Sequence, residues 1–273
     1  MKNNENSFEN LINRAVEDTQ SFKGWDFSHI TDSRRMVDAP TKWNYINKVQ
    51  PYLDGIDTLM DIGTAGGEIL SRIHPLPGHT YAVEDYSPNI TRAIETLEPL
   101  GIEVIGIEEG KEPPFGDLPF KDDYFDAIIN RHTSYTGSEV YRILKPGGYY
   151  VTQQLGGLTT INLGMIIQGE KATKLSIWNL KVFKERMVEE GFKIIDEADE
   201  INFGRFFDVG AIVYHLITCP WTVEDFTPER YHSELLYLHN YIEKHGYFDM
   251  LYEWLFIVAR KPLKQTDKGS GSF

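Results

Sequence analysis

Between residues 58 and 153 short apolar runs alternate with turns and helix-length segments, and this alternation restricts the chain to one kind of architecture. Residues 58–62, 80–83, 103–107, 125–130 and 149–153 are the runs; 68–73, 89–97 and 138–144 carry a helical pattern. A strand that is apolar on both faces belongs inside a parallel sheet whose two sides are covered by helices. Repeated strand, crossover, strand implies right-handed crossovers and a doubly wound, mainly parallel α/β sheet. Two later runs, 193–198 and 252–259, bring the expected sheet to seven strands. Ligands in such sheets bind at the carboxyl ends of the strands, beside the point where strand order reverses.

Outside this region the pattern is mostly helical. Phe8, Leu11, Ile12, Ala15, Val16 and Thr19 recur at threes and fours and define a helix over 8–22, closed by Gly24. Tyr45, Ile46, Val49, Tyr52 and Leu53 form a second stripe. Further helices are expected at 177–190, 208–218 and 227–245, and an acidic, proline-containing loop at 108–123. The organisation read from this is an N-terminal helical cap at 1–50, a main domain at 51–262 with a helical insertion before the last strand, and a flexible tail at 263–273.

Composition narrows the function. The chain has 27 Lys+Arg against 41 Asp+Glu, a formal net charge of -14. A field of that sign repels polyanions, which argues against nucleic acid and anionic membrane as main partners. Cys219 is the only cysteine, so an internal disulfide and a cysteine-rich zinc site are excluded, and a reduced, cytoplasmic setting is expected. No run approaches the roughly 18 apolar residues that a membrane span needs. His232, His239 and His245 share a helix without carboxylates at ligand spacing, so no metal site is expected.

The most informative segment is Leu59-Met60-Asp61-Ile62-Gly63-Thr64-Ala65-Gly66-Gly67-Glu68. Glycines let the backbone turn sharply and let a ligand approach it closely, and the turn offers amides beside the start of a helix. A dinucleotide site would use G-x-G-x-x-G with a diphosphate on those amides. Here the spacing differs, and Asp61 places a carboxylate in the turn, which repels a diphosphate and suits a cationic amino group. Glu84 and Asp85 follow the second strand, roughly 20 residues on, where an acid accepts ribose hydroxyls.

Four motifs therefore stand in order: Asp61-x-Gly63-x-x-x-Gly67; Val83-Glu84-Asp85-Tyr86-Ser87-Pro88; Leu118-Pro119-Phe120 before Tyr124-Phe125-Asp126; and Leu144-Lys145-Pro146-Gly147-Gly148. Over about residues 56–155 this set resembles the class I S-adenosylmethionine-dependent methyltransferases, of the small-molecule type with a methyltransferase-11-like domain. Ala65 departs from the pattern, since many relatives carry glycine there. The resemblance implies S-adenosylmethionine as cofactor and assigns roles to matched positions. Asp61 and the backbone of Gly63, Thr64, Ala65 and Gly66 would hold its methionine end. Glu84, with Asp85 as the neighbouring alternative, would take the ribose. Asp117 and Leu118 would lie by the adenine, and Asn130 and Arg131 below the sulfonium.

Methyl transfer needs alignment and a shaped pocket more than it needs acid–base chemistry. His132 is the best-placed histidine, either as general base or as a residue that orients its loop. Trp25, Phe27, Trp43, Tyr45, Tyr135 and Trp221 are rings that could hold a sulfonium or a flat substrate, or simply pack the core. Gln153 and Gln154 end the fifth strand, where they could bond a substrate. No Asn-Pro-Pro-Tyr follows the fourth strand, so methylation of nucleic-acid base amines is not supported. Thr218-Cys219-Pro220 resembles the nucleophile motif of RNA cytosine-5 methylases but lies too far from the other motifs. The expectation is a methyltransferase acting on a small molecule; RNA or protein methylation and cofactor binding without catalysis are the alternatives.

Overall fold

The computed structural model describes residues 7–175 and 177–264. In chain order its elements are α1 (Phe8–Thr19), α2 (Ser28–Thr31), β1 (Met36–Asp38), α3 (Tyr45–Val49), β2 (Thr58–Ile62), β3 (His79–Glu84), α4 (Ser87–Leu97), β4 (Glu103–Gly106), β5 (Phe125–Arg131), α5 (Gly137–Ile143), β6 (Leu144–Leu155), α6 (Ile161–Gln168), α7 (Leu180–Glu189), β7 (Lys193–Phe206), α8 (Val209–Thr218), α9 (His232–His245) and β8 (Phe248–Arg260). They form two compact units.

The α/β unit takes residues 43–154, 183–198 and those from 256 onward. The sheet has eight strands in the order β1-β7-β8-β6-β5-β2-β3-β4, the seven expected plus the short edge strand β1. β2 pairs in parallel with both β3 and β5, and β3 with β4 and β5 with β6 likewise. The chain builds outward from β2 to β4 and then returns to the other side of β2. The order therefore reverses between β2 and β5, and the carboxyl ends of these two strands mark the expected ligand position. Every residue of β2 is buried, which explains its uninterrupted apolar pattern. At the opposite end, Asp126 accepts from Thr58 N (3.0 Å), Thr58 Oγ1 (2.8 Å) and Lys145 Nζ (2.7 Å), so the polar groups at the strand starts are mutually satisfied.

The second unit takes residues up to 42, 155–182 and 199–255. α8 is its axis, buried along almost its whole length, with Ile12 and Ala15 of α1, Leu163 of α6 and Leu235 and Leu238 of α9 in one apolar cluster. Here β1 pairs antiparallel with β7, Met36 opposite Phe206. Residues 1–50 thus do not form a cap of their own. Those up to 42 share a core with segments far along the chain, and 43–50 belong to the α/β unit. Of the expected tail, residues 265–273 lie outside the described residues.

Some elements differ from the sequence reading. The helix expected over 68–73 is only a 3-10 turn at Leu70–Arg72. From Glu68 to His74 the chain has less than two helical turns before Pro75 and Pro77, and so short a segment does not propagate an α-helix. The short strand β1 and helix α6 were not expected. β7 and β8 run past their expected ends, and the added residues of β7 alternate in exposure, the period-two pattern of a half-covered strand. Among the described residues no helix is long and apolar enough to cross a membrane, and no group of three or more His, Cys, Asp or Glu is placed to hold a metal ion.

Candidate functional site

The bend after β2 is built from left-handed residues: Gly63 (φ 70°), Ala65 (φ 53°) and Gly67 (φ 84°). Gly63 is required twice over, because a Cβ at that position would meet the Thr133 side chain at 2.5 Å. Ala65 adopts a conformation that disfavours a side chain, so the departure from glycine stores strain. The amides of Gly63, Thr64, Ala65 and Gly67 are engaged within the protein. Gly63 N and Thr64 N donate to Val83 O (2.8 and 3.2 Å), Gly67 N to Thr64 O (3.0 Å), and Ala65 N to Glu84 Oε2 (2.7 Å). With only a 3-10 turn following, the expected display of free amides at a helix start is not formed. A diphosphate seated here would have to displace these bonds beside a buried acid.

That acid is Asp61, at the end of β2 and 7% exposed. Burial, reinforced by the charge of Glu84 and opposed by a hydrogen bond from Thr64, pushes its carboxyl up to about 7. Arg131, at the end of neighbouring β5, acts in the opposite direction, and its guanidinium lies 5.9 Å from the Tyr45 ring centroid. Burial in turn lowers Arg131 and raises Tyr45 well above its ordinary value. Two buried polar atoms of this cluster, Tyr45 Oη and Arg131 Nε, have no hydrogen-bond partner. Native interiors rarely leave such groups unsatisfied, and two together at a switch point mark a ligand position.

Glu84 is also buried, and burial raises its pKa. Its Oε1 accepts from Tyr86 N (3.0 Å) and Asp85 N (3.2 Å), so both of its oxygens already hold backbone. Asp85 beside it is half-buried.

The end of β5 departs from expectation at Asn130. Its Nδ2 donates to Ile62 O (3.0 Å), and its Oδ1 accepts from Thr152 Oγ1 (3.0 Å) and from Gln154 Nε2. Asn130 and Gln154 therefore tie β2, β5 and β6 together, and neither side chain is disposed to line a ligand as expected. His132 follows in left-handed backbone (φ 59°). Its amide donates to Gln153 O (2.9 Å), and its Nε2 lies 3.1 Å from Gln153 Nε2. Gln153 Oε1 accepts from Trp43 Nε1 (2.9 Å). His132 is exposed at the surface of the fold, yet the protein packed around its ring and the charge of Arg131 shift it below the ordinary imidazole range.

The remaining candidates are dispersed. Asp117 is exposed and pairs with Lys111 (3.2 Å), whereas adjacent Leu118 is buried, its amide held by Glu139 Oε1 (2.8 Å). Tyr135 turns inward, edge-on to Tyr150 at 5.0 Å, and so packs where a substrate contact was expected. Trp25 and Trp221 belong to the other unit, where they meet edge to face at 5.4 Å, both more than half exposed. Phe27 there packs against Phe22 and His215. Thr133, which closes over Gly63, carried no sequence signal, because only the pairing of β2 with β5 brings the two loops together.

A twisted parallel sheet whose order reverses above a glycine bend, with a buried acid at that bend, defines a nucleoside-binding α/β class. Comparison with known proteins narrows it. Residues 60–152 match the family model described as methyltransferase domain. Among solved structures, a Bacillus halodurans C-125 protein assigned to the methyltransferases superposes with a TM-score of 0.55 at 17% identity, over 80% of this chain and 97% of that one. The YcgJ protein of Bacillus subtilis gives 0.52 at 12% identity, over 80% and 98%. The cyclase SpnF gives 0.51 at 15% identity, over 93% of each chain. At these identities the likeness is one of fold. No curated protein matches the sequence. Residues 60–152 are a class I S-adenosylmethionine-dependent methyltransferase domain, and S-adenosylmethionine is its cofactor.

Proposed function

We propose that the chain transfers the methyl group of S-adenosylmethionine to a small-molecule acceptor. The observation that supports this most is the buried cluster at the β2–β5 switch point. A carboxylate, a guanidinium and two hydroxyls lie together there, with Tyr45 Oη and Arg131 Nε unpartnered. This set complements a zwitterion. In this reading Asp61 takes the ammonium of the cofactor's amino-acid tail and Arg131 its carboxylate. Tyr45 and Thr64 supply the remaining hydrogen bonds. The tight bend at Gly63, Thr64, Ala65 and Gly66 lets the ligand approach the backbone. Asp85 takes the ribose hydroxyls, with Glu84 holding the bend in shape and sharing that role. Leu118 gives an apolar wall for the base, and Asp117, paired with Lys111, takes no part in holding it. The cofactor supplies an activated methyl group on a sulfonium; the chain's residues orient it and keep water away. The acidic surface favours a small acceptor over RNA, in the cytoplasmic setting expected from the cysteine content.

Thermal unfolding with S-adenosylhomocysteine tests the cofactor site: a raised midpoint is expected with it and none with NAD. Mass spectrometry of metabolite mixtures incubated with S-adenosylmethionine tests the reaction. A gain of one methyl on a small molecule supports the proposal; methyl transfer only to RNA or protein overturns the small-molecule assignment. Cyclisation without methyl gain, the kind of chemistry the name of the cyclase SpnF states for that protein, overturns methyl transfer.

A further inference from the structure

The chain Trp43–Gln153–His132 lies wholly in the α/β unit, and its hydrogen-bond polarity is fixed from one end. An indole N–H can only donate. The Gln153 atom 2.9 Å from Trp43 Nε1 is therefore the amide oxygen. The other amide atom is then NH₂, which can only donate, and it lies 3.1 Å from His132 Nε2. That ring nitrogen must supply a lone pair, so an uncharged His132 carries its proton on Nδ1. Gln153 grips His132 a second time through the backbone, accepting its amide at 2.9 Å. Gln153 itself is 2% exposed and cannot swing away without leaving two buried bonds open.

We propose that Gln153, oriented by Trp43, is a positioning residue that holds His132 as the neutral Nδ1–H tautomer, so that neither ring nitrogen takes a proton from the methyl acceptor. This rests on the methyltransferase reading for its meaning and on the hydrogen-bond geometry for its truth. It also narrows the substrate class. Where His132 is the group that faces the acceptor, the acceptor attacks in the form in which it binds: an unprotonated amine, a thiolate or a carboxylate. An alcohol, which must lose a proton as it is methylated, is disfavoured. An amine methylated as the free base becomes an ammonium, which releases its extra proton to solvent water after transfer.

The test is histidine-selective ¹⁵N NMR of the full chain, with His132 assigned through His132→Asn. The expected wild-type spectrum shows protonated Nδ1 and unprotonated Nε2, unchanged from pH 5.5 to 8.5. Gln153→Glu puts an acceptor in place of the NH₂ donor, so it should move the proton to Nε2 and make His132 titrate inside that range. Trp43→Phe frees the amide to turn over, which should give a mixture of tautomers. A wild-type ring that titrates near 6.5, or that carries its proton on Nε2, overturns the proposal whether or not either variant folds. The readout does not depend on cofactor binding. A chain with the expected tautomer that ignores S-adenosylhomocysteine would refute the proposed function alone.

Discussion

The two units each bury titratable groups, and the contrast between them separates a site from a core. In the second unit His215 lies in the last turn of α8 and Cys219 directly after its end, both about 5% exposed, with Sγ 4.0 Å from Nδ1. Burial pushes the thiol up to about 12 and the imidazole down to about 4, so both are neutral. Phe27 and Phe206 surround the imidazole, and no ionised group contributes to its shift. In the α/β unit burial again dominates, yet Asp61 and Arg131 remain a pair of opposite charges that perturb each other, at the ends of two adjacent strands. Desolvation alone produces inert neutral groups; desolvation around opposed charges at a switch point produces a place for a charged ligand.

The sharpest way to break this comparison is Asp61→Ala. Stabilisation by S-adenosylhomocysteine, about 4 kcal/mol at a thousandfold excess over Kd, should vanish. A thermal shift that persists would remove Asp61 from the cofactor site. The same residue makes the unliganded fold pH-dependent. Its carboxyl titrates at about 7 folded against 3.8 unfolded, so the protonated form suits the fold. The resulting cost is absent below pH 3.8, grows as pH rises, and is complete above 7, at up to about 4 kcal/mol. Asp61→Asn should therefore raise the unliganded midpoint at pH 8 while it weakens binding of S-adenosylhomocysteine. A variant destabilised at that pH would contradict the buried-charge account.

His215 should show the opposite pH dependence. Its folded value of about 4 lies below the ordinary 6.5, so its contribution is whole above 6.5 and is lost as pH falls towards 4. The loss amounts to about 3 kcal/mol. His215→Leu should flatten that limb in denaturant titrations from pH 7 to 4. An unchanged limb would assign acid sensitivity elsewhere. The smallest effect belongs to Ala65→Gly, which relieves the left-handed strain and should add about 1 kcal/mol of stability. No gain would mean that glycine's extra freedom in the unfolded chain offsets the relief.

Legibility in the sequence followed the range of the forces involved. The strands from β2 to β6 were readable because a buried strand needs a local apolar run, and the acid at Asp61 because it interrupts one. The partners that decide a side chain's role are distant in sequence and left no such trace. Asn130 looked like a ligand residue until Ile62, Thr152 and Gln154 were seen to consume its amide. Tyr135 looked available until Tyr150 covered it. Arg131 and Tyr45 were readable as candidates, but their convergence on Asp61 depends on sheet order. The helix over 68–73 was misread because its pattern is helical while its length is too short to sustain one.

The central claim is that the bend after β2 holds a zwitterionic amino-acid tail. Calorimetric titration at pH 8 with S-adenosylhomocysteine and with 5′-methylthioadenosine, which keeps the nucleoside and lacks that tail, tests it most directly. The account requires at least a tenfold loss of affinity for the truncated ligand in the wild type, and near-equal affinities in Asp61→Asn. Equal affinities in the wild type would contradict it.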